Sequence, residues 1–440
     1  MENNDITLNF IMGSEWAELP GSIQHQAKRC LMDTLGAMIA GHQTPVSSLI
    51  NSFVNQQFKG DNATIMVKGS KTSASGAALA NGFANNALDI DDGYRPIKGH
   101  PGASILPVTL AAAELTPSIT GDQFLAALVV GYEVAIRAGL IRHATYETYH
   151  SSGSWGAIGG AAAAGKILGL TREKLCHALG AAEYHAPIAP MMKCIETPGM
   201  GKDSIGWGCM VAMMSVIMAD QGFTGINPIF NDSPKEEWIK SLGRSYEIMN
   251  LYFKPYSACR WAQPGVDGAL KIMAENDLTH KDIKQIKVFT FKESAALSTD
   301  YPRNTEQAQY NIAFPIAAAL QDGEVGPDQV LPPRFLEKDI HQMMDKIQIR
   351  SEERFQKEFP DKAESEVEIT TTNGRIFSSG AMSARWDFHS TLPTDRELEK
   401  KFFWLVAPVL GKDKADALIN LIRHFDLEEK LDNLIELCIE

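Results

Sequence analysis

Val367-Glu368-Ile369-Thr370-Thr371-Thr372-Asn373-Gly374-Arg375-Ile376-Phe377 divides this chain into two kinds of sequence. Apolar and polar residues alternate at Val367 to Ile369, and apolar residues return at Ile376-Phe377 beyond Asn373-Gly374. Asn-Gly readily takes the two positive-φ positions of a tight hairpin turn, so the stretch predicts a β-hairpin. Working outward, Ile286 and Val288 alternate with Lys287 and Phe289, and Ile347 and Ile349 flank Gln348, which predicts two more strands. The character of the sequence changes near Asp267. Residues 264–393 therefore read as a smaller α+β domain.

On either side the period becomes helical. Between Gln24 and Gly41, Ala27, Cys30, Leu31, Leu35, Met38 and Ile39 fall on one face, and Gly41 closes the run. Ala-rich runs at 75–87, 103–115, 124–140, 156–168 and 205–221 predict closely packed helices, so residues 1–263 read as helical. Ser233-Pro234-Lys235-Glu236 has the form of a capping box with Pro at the first helical position, and Thr394-Asp395-Arg396-Glu397 is a second box that opens helices over 394–440. The expected fold class is mainly α, a large all-helical domain plus a smaller α+β domain.

The chain has 440 residues, enough for two cores, and 44% hydrophobic with 22% charged residues is a globular composition. Its net charge of −13, from 41 basic and 54 acidic residues, disfavours nucleic acid and anionic membrane as partners. It leaves room for an anionic small molecule in a locally positive pocket. No run approaches about 18 uninterrupted apolar residues, so no membrane span is expected. Met1 to Phe10 lacks a basic segment followed by an apolar one, so no signal peptide is expected and a cytoplasmic location is. The six cysteines form no C-x-x-C pair and read as free thiols.

The chemistry gathers at four places. Asp89, Asp91 and Asp92 follow the end of an Ala-rich helix, where the partial negative charge disfavours acids unless cations meet them. Their spacing lacks the twelve-residue loop and closing Glu of an EF-hand, and no metal is expected. His100 precedes a helix starting near Gly102, His150-Ser151-Ser152-Gly153 precedes the Ala-rich helix to Leu168, and Lys202-Asp203 precedes a third apolar helix. Free N–H groups at helix starts favour anions, so three starts that each carry a His or Lys suggest a polyanionic substrate. Lys254-Pro255-Tyr256-Ser257-Ala258-Cys259-Arg260 lies at the domain junction, where clefts commonly form. Taken singly, these segments also read as a solvated acidic turn, structural histidines and an ordinary linker. Together they favour a site. With no Walker loop, G-x-G-x-x-G after a strand, H-E-x-x-H or cysteine cluster, cofactor-free acid–base chemistry is expected.

Leu31-Met32-Asp33-Thr34-Leu35-Gly36, the Asp89 to Pro101 stretch, His150 to Gly153, Lys202-Asp203, Lys254 to Cys259 and Ala308-Gln309-Tyr310-Asn311-Ile312-Ala313, in this order, resemble the MmgE/PrpD family. That family includes 2-methylcitrate dehydratase, cis-aconitate decarboxylase and iminodisuccinate epimerase. The resemblance implies a helical domain built from both chain ends, with 394–440 returning to it, a homodimer, and metal-independent action on a small di- or tricarboxylate. It also implies an interdomain site using Asp89, His100, His150, Lys202 and Lys254 as catalytic residues. Asp92, Gly93, Ser151, Tyr256 and Cys259 are the candidate substrate-binding residues. The chain departs from the decarboxylase branch, which carries Thr, His and Tyr where Gly93, Cys259 and Phe314 stand, and its Asp89 to His100 spacing is one residue longer. Two proton donors are thereby removed. The resemblance therefore points first to a 2-methylcitrate dehydratase-like hydro-lyase that abstracts a proton next to a carboxylate. The alternatives are an epimerase, a decarboxylase or, in another class, a non-catalytic carboxylate-binding protein.

Overall fold

The computed structural model describes residues 2–388 and 390–440. It is mainly α-helical with small sheets. The Ala-rich runs form the helices Ala74–Asn86, Pro101–Glu114, Gly121–Thr145, Gly153–Ile167 and Ile205–Asp220, and Gly21–Gly41 forms another. Small residues set their spacing. A Cβ on Gly159 would lie 2.4 Å from the Ala135 Cβ and 2.6 Å from the Gly131 carbonyl, so Gly153–Ile167 and Gly121–Thr145 approach backbone to backbone. Gly121–Thr145 is long and apolar enough to cross a bilayer, yet it is buried within this fold. It also carries a buried ion pair, Arg137 with Glu133 at 2.5 Å.

The four-stranded sheet runs Ile347–Ser351, Ile283–Thr290, Glu364–Thr371, Ile376–Ser383. The first pair is parallel, with Val288 opposite Ile349, and the other two are antiparallel. The Asn373-Gly374 turn joins the last two strands, with Gly374 at φ +86°. Gln263–Glu275 packs across these two strands.

At Thr394 the box forms: Thr394 Oγ1 accepts the Glu397 N–H and the Glu397 carboxylate accepts the Thr394 N–H. At Ser233 it does not. Lys235 is extended, the helix begins only at Glu236, and the Ser233 hydroxyl donates to the Lys235 carbonyl instead.

The helix Asp395–Leu410 packs on Gly21–Gly41, and Val67 bridges to Ile439. One apolar core joins Leu8 through Phe253 with Leu398, Phe402, Leu418 and Phe425. A second gathers Tyr256 through Ile369 and takes in Leu88 and Ile90 from the acidic loop. That loop therefore lies on the seam between the cores, and both Leu88 and Ile90 are buried there.

Candidate active site

The seam holds a cleft lined by Asp89, Lys98, His100, Tyr149 and Asp203 from one side and Lys254, Cys259, Arg260, Tyr310 and Asp387 from the other. Each acid of the Asp89 loop has its own partner. Asp89 Oδ1 accepts from Lys254 Nζ at 2.9 Å, with both side chains buried. Asp91 Oδ2 lies 2.8 Å from His100 Nδ1, and its other oxygen accepts from Asn86 at 3.1 Å. Asp92 turns away from the cleft. Its carboxyl accepts the Gly102 N–H at 2.9 Å and the Tyr132 hydroxyl at 2.6 Å, so it caps the Pro101–Glu114 helix rather than contacting the cleft. Burial, with Asp33 nearby, pushes it up to about 7.

With Nδ1–H assigned to Asp91, His100 presents Nε2 to the cleft, 3.6 Å from Asp89 Oδ1 and 3.8 Å from Asp203 Oδ2. Burial alone would lower the imidazole. Asp91 and Asp203 outweigh it and hold His100 above its usual value. Burial likewise opposes the Lys254 ammonium, and Asp89 and Asp91 hold it higher. Asp89 and Asp91 lie below the carboxylate range because the Lys254, Lys202 and His100 cations outweigh burial. Lys254 Nζ stands 3.4 Å from His100 Nδ1, so base and ammonium share one small space.

Lys202 is buried beside the cleft, donating to the Asn86 carbonyl at 2.5 Å and to Gln309 Oε1 at 2.7 Å. Its neighbour Asp203 enters the cleft and accepts from the Tyr310 hydroxyl at 2.8 Å and from Ser152 at 3.2 Å. Ser152, which precedes its helix, caps no N–H of that helix with Oγ and instead accepts the His100 N–H at 3.1 Å. Asp89, Lys98, Lys202 and Ser204 all have positive φ, a conformation that costs about 1–3 kcal/mol per non-Gly residue and that clusters at functional sites.

The structure does not gather every predicted residue. His150 is buried with its ring edge-on to Tyr146 at 5.4 Å, and among the described residues neither of its ring nitrogens has a hydrogen-bond partner. It does not line the cleft, nor does Ser151, whose N–H donates to the Ala189 carbonyl. Tyr256 donates to Asp267 at 2.7 Å, under the Arg385 guanidinium, inside the second core. Gly93 acts through its neighbour. A Cβ there would lie 2.2 Å from the Tyr252 ring, so glycine is what lets Tyr252 line the cleft. Cys259 does line the cleft, its thiol pushed up to about 12 by burial and by Asp89.

Phe314 is buried in Ala313–Asp322, away from the cleft, and the phenols that line the cleft are Tyr149, Tyr252 and Tyr310. The expectation that Phe314 cost the site a proton donor is therefore corrected. Sequence reading also passed over Asp203, Arg95, Lys98 and Asp387 as site residues. Asp203 beside Lys202, and Arg95 and Lys98 inside the Asp89 to Pro101 stretch, lay in segments the sequence singled out, whereas Asp387 did not.

Asp89, Asp91 and His100 hold donor atoms within 4.8 Å of one another, a grouping that suits a metal ion. Lys254 already places an ammonium 2.9 Å from Asp89, so a lysine supplies the positive charge this carboxylate needs.

Comparison with known proteins places the chain. Residues 7–245 match the MmgE/PrpD N-terminal domain and residues 256–427 the MmgE/PrpD C-terminal domain. The chain is 24% identical to cis-aconitate decarboxylase of Homo sapiens, over 95% of this chain and 91% of the human protein. It is 23% identical to that of Mus musculus, over 96% and 90%, and 22% identical to that of Aspergillus terreus (strain NIH 2624 / FGSC A1156), over 96% and 92%.

Proposed function

The chain belongs to the MmgE/PrpD family, and from that premise we propose that it is a lyase acting on a small di- or tricarboxylate, working as a hydro-lyase of the 2-methylcitrate dehydratase kind. The observation that carries this reading is the meeting of the His100–Asp91 pair with the Lys254–Asp89 pair in one buried cleft. His100 Nε2 takes the proton from the carbon next to a substrate carboxylate. Lys254, once it exchanges Asp89 for substrate, stabilises the negative charge that develops on that carboxylate. Tyr310, whose hydroxyl faces the same space, gives one proton to the departing β-hydroxyl, which leaves as water, while Lys254 stays charged.

A decarboxylase is the second reading, favoured by the names of the relatives. An epimerase shares the first proton transfer and would return the proton to the opposite face.

Proton NMR in deuterated water with 2-methylcitrate, citrate, cis-aconitate and iminodisuccinate separates these readings. The expected result is α-hydrogen exchange in one hydroxy acid together with loss of water to an alkene. Release of carbon dioxide would replace the hydro-lyase by a decarboxylase, and exchange with neither water nor carbon dioxide lost, giving the opposite configuration, by an epimerase. A ligand that binds without exchange or turnover would overturn the enzyme reading in favour of a carboxylate-binding protein.

The family resemblance also leads us to propose a homodimer. The supporting surface is the Ile205–Asp220 helix, where exposed Trp207 and Met214 and half-buried Met210, Ile217 and Met218 form an apolar stripe. The double variant Trp207→Glu, Met214→Glu is expected to sediment as a monomer. A dimer that survives both changes would place the interface elsewhere.

A further inference from the structure

The catalytic end of the cleft is close to balanced in charge, with His100 and Lys254 against Asp89 and Asp203 in its lining, and Lys202 and Asp91 behind them, hydrogen-bonded to Gln309 and His100 respectively. Farther along, Arg95, Lys98 and Arg260 line the same cleft with one carboxylate, Asp387, between them. A single Asp387 oxygen takes both guanidiniums, Arg95 at 2.5 Å and Arg260 at 3.0 Å. Arg260 also stacks over Tyr252, 4.5 Å from the ring centre. Lys98 has neither an ion pair nor a side-chain hydrogen bond among the described residues. Its ammonium lies over the Tyr149 ring, 5.1 Å from the centre.

Lys98 is held there deliberately. Its backbone is left-handed, at φ +48°, and the Tyr149 hydroxyl donates to its carbonyl. A half-buried ammonium with no ion-pair partner among the described residues is poorly compensated: burial lowers it from the usual lysine value, and the more distant Glu293 opposes this only in part. Its aromatic neighbour compensates only in part. In a chain of net charge −13, this local excess of positive charge at the cleft would draw in an anion.

We propose that Lys98 anchors a subsite for a substrate carboxylate remote from the reacting carbon, which selects di- and tricarboxylates over monocarboxylates, with Arg260, whose terminal nitrogens donate to Phe253, Gln263, Ala384 and Asp387, adding positive charge beside it. The inference rests on the carboxylate reading of the site and adds the residues that count the carboxylates. Lys98 reaches the cleft from the helical side and Arg260 from the side of the second core, so a shared carboxylate would also link the two.

Isothermal titration of the full chain with propane-1,2,3-tricarboxylate and with butyrate tests the subsite. Lys98→Met is expected to weaken the tricarboxylate at least tenfold, to leave butyrate unchanged and to flatten the salt dependence, while Lys98→Arg restores most of the affinity. Folding of each variant is checked by thermal melting. If Lys98→Gln substitutes for a poorly folded Met variant, the same result is expected. Equal tricarboxylate affinity in wild type and variant overturns the subsite and leaves the carboxylate reading standing. A tenfold loss in a protein that turns over no carboxylate supports the subsite and overturns the lyase reading. Failure of the wild type to bind the tricarboxylate overturns both.

Discussion

Replacing His100 by Asn is expected to lower turnover by roughly 10²–10⁴-fold, the usual range for a positioned general base, with the fold preserved. The fold should survive because His100 is the residue preceding the Pro101–Glu114 helix and makes no side-chain cap, and Asn is favoured at that position. The pH dependence separates a chemical role from a structural one. Burial disfavours the imidazolium, yet Asp91 and Asp203 outweigh it and raise His100 in the folded protein. The stability contributed by that charge is complete below the unfolded value of about 6.5 and fades as pH rises through the higher folded value. The neutral form needed to accept a proton accumulates over the same rise. Wild-type kcat/KM should therefore climb with pH while the His100 contribution to stability declines, and the Asn variant should lose both trends. A variant that keeps the rising limb of kcat/KM would assign the base to another group.

The sequence revealed the chemical groups better than their directions. Alternation and Asn-Gly exposed the strands because a half-buried sheet imposes period two on local sequence, and the Ala-rich runs exposed the close helices. Asp89, His100 and Lys254 were legible for a similar reason: each sits beside a helix end or junction that needs an explanation. Asp92 looked equivalent to Asp89 on the page of sequence. What separates them is Tyr132, forty residues away, whose hydroxyl turns Asp92 towards the helical core. His150 shared its local pattern with His100, but its ring packs on Tyr146 and carries no acid partner. Ser152, one residue before its helix, links the His100 backbone to Asp203. Asp387 was invisible because it meets Arg95 only once residues nearly three hundred apart enclose one cleft. Local periodicity reports which face is buried. It does not report which long-range partner a polar side chain finds there.

The last residue of this kind joins the Asp395–Leu410 helix to the chemistry. Lys401 on Asp395–Leu410 donates to Asp33 Oδ1 at 2.5 Å and to the Ile90 carbonyl at 2.7 Å, with both side chains buried. Ile90 lies between Asp89 and Asp91, so this one ammonium ties the return of the chain to the loop that holds the lysine and histidine partners. Lys401→Met would strand a buried carboxylate. Burial already raises Asp33, and Lys401 is the main influence opposing it. Breaking a buried pair from one side costs about 3–5 kcal/mol, which urea denaturation should show. Turnover should fall as well, because the Ile90 carbonyl loses its donor and the loop its anchor. The double variant Asp33→Asn, Lys401→Met removes the stranded charge and should recover most of the stability. It cannot replace the bond to Ile90, so its turnover should stay low. Recovery of both stability and turnover in the double variant would mean that Lys401 serves only to neutralise Asp33. Recovery of stability alone would show that the Asp395–Leu410 helix holds the Asp89 and Asp91 carboxylates where His100 and Lys254 can use them.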